Sequence, residues 1–78
     1  MRAKIVKKLD GELLTEAIVK YIEETNNEDI FLIMSHKTVA DLALTYNVYV
    51  KKNDFALQFV GYNIAICDAI PYGEVEIR

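Results

Sequence analysis

The 78-residue chain has room for one domain around one core. Its make-up, 53% hydrophobic and 27% charged, is that of a globular rather than a disordered chain. A net charge of −3 at pH 7 gives no overall basic field to draw nucleic acid or an anionic membrane.

Over residues 1–9, Ala3, Ile5 and Leu9 alternate with Arg2, Lys4 and Lys8, with Val6 breaking the pattern, which predicts a short edge strand. Leu13, Leu14, Ala17, Ile18, Tyr21 and Ile22 then recur at the spacing of one helical face. Asp10 is the candidate N-cap and Glu12 places negative charge in the first turn. Asn26-Asn27 closes this helix, because short amides tolerate the left-handed backbone that a helix end requires. Residues 30–34 form an unbroken apolar run, too short for a helix and suited to a central strand covered on both faces.

Ser35 follows where an N-cap belongs, and Val39, Leu42, Ala43 and Tyr46 mark a second amphipathic helix. The period then changes to two. Val48 and Val50, the turn signal Asn53-Asp54, and Phe55, Leu57 and Phe59 predict a hairpin. Gly61 breaks the pattern with a sharp bend or bulge, and residues 62–67 read as another apolar strand. Residues 68–73 form a loop with Pro71 and Gly73 at turn positions. Val75 and Ile77 give a final strand with one wet face. The whole, residues 1–78, reads as a single α+β domain. Two helices pack on a mostly antiparallel, mixed sheet of about four to five strands.

Chemistry is sparse. Ser35 and His36 are neighbours at a helix start, where consecutive side chains diverge, and capping would occupy the Ser35 hydroxyl. Asp41 lies off the helical face of His36, so no base-orienting group completes a triad. The pattern therefore favours a cap followed by an exposed histidine. Cys67 is the single cysteine, which excludes an internal disulfide and a cysteine metal cluster, and it reads as a small core or sheet residue. One histidine and one cysteine do not supply the three or four ligands of a transition-metal site. Gly11, Gly61 and Gly73 are too far apart for a phosphate loop. No catalytic, cofactor-binding or metal-binding residue is assigned. Tyr46, Tyr49, Tyr62 and Tyr72 suit either core and rim packing or a half-dry interface. No apolar run approaches a membrane span and the first residues lack a secretory signal, so the chain is expected to fold in the cytoplasm.

One resemblance bears on function. The stretches LLTEAIVKYIEETNNEDIFLIMSHKTVADLAL and FVGYNIAICDAIPYGEVEIR resemble the late part of the major capsid protein of tailed bacteriophages, whose shell fold encapsulin nanocompartments share. In that family a helix precedes an apolar strand ending in a small polar residue, where the next helix begins. A later Gly-x-x-apolar strand leads into an acidic residue and a Pro-x-Gly turn. Those features fall here on residues 30–34, Ser35, residues 37–44, residues 61–67, Asp68 and residues 71–73. Asn63 stands where that pattern has proline, and the long spine helix, extended loop and N-terminal arm of a full subunit have no counterpart.

The resemblance implies an isolated axial-domain-like fold, from a phage or prophage structural protein associated with a virion. Its partners would be copies of itself or a phage structural protein. Its contacts would lie in loops, at Asn53 and Asp54 and at Ile70, Pro71, Tyr72 and Gly73. Two other expectations stand beside it. One is a small adaptor or regulatory domain binding another protein through a sheet edge or tyrosine patch. The other is an enzyme using Cys67.

Overall fold

The computed structural model describes residues 1–5, 11–45, 48–51 and 56–78. In chain order the elements are β1 (Arg2–Lys4), α1 (Gly11–Thr25), β2 (Phe31–Met34), α2 (His36–Thr45), β3 (Val48–Lys51), β4 (Ala56–Phe59), β5 (Tyr62–Ile66) and β6 (Glu74–Ile77). The expected N-cap Asp10 lies outside the described residues.

The strands form one mixed sheet in the order β1-β6-β2-β5-β4-β3. Among the described residues only β2 and β5 pair in parallel, and the other four pairings are antiparallel. The α+β class and the mostly antiparallel sheet are as the sequence predicts. Among the described residues the sheet has six strands, with the short β1 and β3 at its two edges.

Following the pairings, β1, β2 and β3 all run the same way, and the crossovers through α1 and α2 both travel in one direction along the sheet. Parallel crossovers are right-handed almost without exception, so both helices must lie on the same face. Burial agrees. Val75, Ile77, Leu32, Ile64 and Phe59 are buried and share one face by register, and they pack in a single core with Leu14 and Ile18 of α1 and Val39 and Leu42 of α2. Ile5, wholly buried just after β1, closes the core at the edge.

Among the described residues no element packs on the opposite face, which corrects the expectation that β2 is covered on both sides. Leu32 and Met34 point into the core, but Phe31 is 47% exposed and Ile33 half-buried on the uncovered side. Four consecutive apolar residues satisfy a two-sided pattern; this topology supplies cover for one side only.

The helix predictions hold at their centres and shift at the margins. In α1, Leu14 and Ile18 are buried and Ala17, Tyr21 and Ile22 pack against them, whereas Leu13 is 45% exposed. In α2, Ala43 is exposed beside buried Val39 and Leu42. Asn26 takes φ 54° after α1, and its N–H donates to the Ile22 carbonyl at 2.8 Å, closing the helix in the left-handed manner its amide predicts. Between β4 and β5 the turn consists of Val60 (φ 45°) and Gly61 (φ 87°). Positive φ at both central positions is the requirement of a type I′ hairpin turn, which glycine meets freely and a β-branched valine meets only under strain.

Candidate functional site

The Ser35-His36 junction is where distant parts of the chain meet. The N–H of Thr38 donates to Ser35 Oγ at 3.3 Å, and the Val39 N–H donates to the Ser35 carbonyl at 3.0 Å, so Ser35 caps α2. A second free amide of that first turn, the His36 N–H, donates to Asp68 Oδ1 at 2.9 Å. The carboxylate adds a favourable charge at the helix N-terminus. Thr38 is wholly buried, its hydroxyl 2.8 Å from Ser35 Oγ and accepting the Gly73 N–H at 3.1 Å. Gly73 (φ 80°) sits in the left-handed region, and its carbonyl accepts from the Ile5 N–H at 2.7 Å. Further along the loop, the Tyr72 hydroxyl donates to Asp41 Oδ2 at 2.5 Å, and Lys37 Nζ lies 5.3 Å from the centre of the Tyr72 ring.

The loop between β5 and β6 is therefore strapped along the first half of α2. Within it, the Ile70 N–H donates to the Cys67 carbonyl and the Glu74 N–H to the Pro71 carbonyl, both at 3.1 Å. Of the contact residues that the resemblance implies, Ile70 and Gly73 are buried and present no side chain to a partner, while Pro71 and Tyr72 face solvent. Asn53 and Asp54 lie outside the described residues. The hydrogen bond to Asp41 raises the Tyr72 pKa above its ordinary 10.0, with desolvation and the carboxylate's charge adding to it.

This constellation is structural in its chemistry. The Ser35 hydroxyl is committed to the cap. The His36 side chain is 77% exposed and its Nδ1 is 3.9 Å from Asp68 Oδ2 rather than near the serine hydroxyl. Cys67 is half-buried at the end of β5, its N–H donating to the Met34 carbonyl at 2.9 Å. Among the described residues no group of three or more His, Cys, Asp or Glu converges as metal ligands.

The open sheet face is the other feature of note. On one side of β2, Arg2 Nη1 pairs with Glu74 at 3.2 Å and Arg2 Nη2 with Glu76 at 3.6 Å, while Arg78 Nη2 lies 2.9 Å from Glu76. On the other side Gln58 Nε2 donates to Asn63 Oδ1 at 2.9 Å. Between them lie Phe31, Ile33 and Ala65, adjacent by register. Of the tyrosines, Tyr62 packs against the core and Tyr72 is exposed; Tyr46 and the Tyr49 side chain fall outside the described residues.

Sequence reasoning found Ser35 but missed the roles of Thr38, Asp41 and Asp68. Thr38 stands three residues after the cap, the position from which a side chain reaches back, and that spacing was a usable signal. Asp68 is 32 residues from His36 and Tyr72 is 31 from Asp41, distances at which no local pattern operates. Compared with protein-family models, curated proteins and solved structures, the chain finds no match.

Proposed function

We propose that this chain is a non-enzymatic structural or assembly domain, related to phage or prophage shells, that works by contact with copies of itself or with a shell. The observation that carries the reading is the strapped loop. Pro71 and Tyr72 are held out to solvent by a segment tied to α2 through Gly73, Asp68 and Tyr72 itself. A contact loop ordered in advance forfeits little entropy on binding, the usual advantage of a preorganised surface. The order of elements supports the same reading, because this loop is where the resemblance to capsid axial domains puts its contacts. The occupied Ser35 hydroxyl and the solvent-facing His36 favour structure over catalysis at the one place where serine and histidine adjoin.

Light scattering across protein concentration and salt tests the proposal, on the wild type and on Pro71→Glu. Assemblies of several copies that Pro71→Glu disperses, or binding of phage structural proteins lost in that variant, are the expected results. A strict monomer that also ignores phage structural proteins overturns the reading. Retrieval of one non-structural partner from the native host replaces it with the adaptor.

A further inference from the structure

Gly73 is bonded to two distant parts of the chain at once. The β1–β6 ladder pairs Arg2 with Glu76, Ala3 with Val75 and Lys4 with Glu74. One step further the same register sets Ile5 opposite Gly73, and the Ile5 N–H donates to the Gly73 carbonyl at 2.7 Å. With Gly73 at φ 80°, its own N–H turns to α2 and donates to Thr38 Oγ1 at 3.1 Å. That hydroxyl lies 2.8 Å from the Ser35 Oγ that caps α2. A continuous chain of bonds thus runs from the end of β1 through the β5–β6 loop to the α2 cap. Its members, Ile5, Gly73, Thr38 and Ser35, are all buried. Bonds in such a chain reinforce one another, and a buried group left unpaired is costly, so the links are made and broken together.

The weak end of this chain is β1. It is three residues long and lies at the sheet edge. Among residues 1–5, Ile5 alone is buried, in the same core as Leu14, Ile18, Val75 and Ile77. The ion pairs of Arg2 with Glu74 and Glu76 lie at the surface, where such pairs hold little.

We infer that β1 is a latch for the β5–β6 loop, and that the two open together as one unit while the rest of the core stays folded. When Ile5 leaves, the Gly73 carbonyl loses its donor and the Gly73–Thr38 bond loses its neighbour at the sheet edge. Units held by few buried apolar groups are the low-stability end of a fold. On the reading proposed above, the docking of β1 sets whether Pro71 and Tyr72 are presented in order. The latch itself does not rest on that reading.

Native-state hydrogen exchange, followed by NMR, tests the latch with no partner present. The Ile77 N–H donates to the Met1 carbonyl at 2.7 Å and so reports on β1, whereas the Gly73 N–H bonds to α2 and reports on the loop. In wild type, the Ile5, Ile77 and Gly73 amides should exchange at least about tenfold faster, relative to their intrinsic rates, than those of Ile18 and Leu32. Ile5→Val trims the anchor and should speed Ile77 and Gly73 by one common factor, about three- to tenfold. Coupling is reciprocal, so Thr38→Val should speed the Ile5 and Ile77 amides by about tenfold or more. Circular dichroism confirms that both variants fold.

A Gly73 amide that keeps its wild-type rate in Ile5→Val while Ile77 speeds up overturns the inference, because β1 then opens alone. A Gly73 amide no faster than Leu32 in wild type overturns it too, because the loop then opens only with the whole fold. So does a Thr38→Val that leaves Ile5 and Ile77 unchanged. The latch therefore stands or falls separately from the contact made by the loop.

Discussion

Thr38→Val removes one hydroxyl and keeps nearly the same shape, at a residue that ties the α2 cap to the loop before β6. The buried Gly73 N–H loses its acceptor at 3.1 Å, and Ser35 Oγ loses a neighbour at 2.8 Å while keeping the Thr38 N–H. A buried donor left without a partner costs about 1–3 kcal/mol, and the added methyl recovers little of it, so about 2 kcal/mol of destabilisation is expected. For a domain of this size that lowers the melting temperature by about 8–16 °C.

Thermal and urea melts followed by circular dichroism measure the change. Ser35→Ala should cost about 1 kcal/mol, and His36→Ala almost nothing because its ring is exposed. Because Ser35 and Thr38 share a bond, the double variant should cost less than the two single costs added, by about 0.5–1 kcal/mol. Thr38→Val within about 0.5 kcal/mol of wild type refutes the strap as an energetic feature. A His36→Ala more costly than Ser35→Ala refutes the cap.

Val60 holds φ 45° at a hairpin tip with 54% of its surface exposed. Val60→Asn should therefore stabilise the fold by about 1 kcal/mol in urea denaturation, and a loss of stability would contradict the strained turn. Tyr72 should ionise above 10.0 in an ultraviolet titration, and Asp41→Asn should bring the midpoint back toward that value. The folded state holds this proton more tightly than the unfolded one. The Tyr72–Asp41 tie thus contributes fully below pH about 10 and is lost as pH rises through the raised pKa. An unchanged midpoint in Asp41→Asn would mean that the bond does not persist in solution. Leu32→Ala, at a wholly buried position in the core, should cost about 2–5 kcal/mol in the same melts, and a smaller loss would show that the core closes around the gap.

The sequence determined the elements, because each is marked by short-range periodicity and local hydrogen bonding. Leu14 and Ile18 announce α1, Asn26 ends it, Ser35 starts α2, and Gly61 turns the β4–β5 hairpin. All of these signals act across four residues or fewer. The tertiary structure decided which strands are neighbours, and with that everything that bears on function. It inserts β6 between β1 and β2, brings Asp68 to the His36 amide, and straps Tyr72 to Asp41. It also settles the apolar run of β2. An alternating pattern records which side of a strand faces the core. A continuous one records only that both sides tolerate burial. Whether a second layer exists to use the other side depends on which way the crossovers travel, and here both put their helices on the same face, leaving Phe31 and Ile33 uncovered.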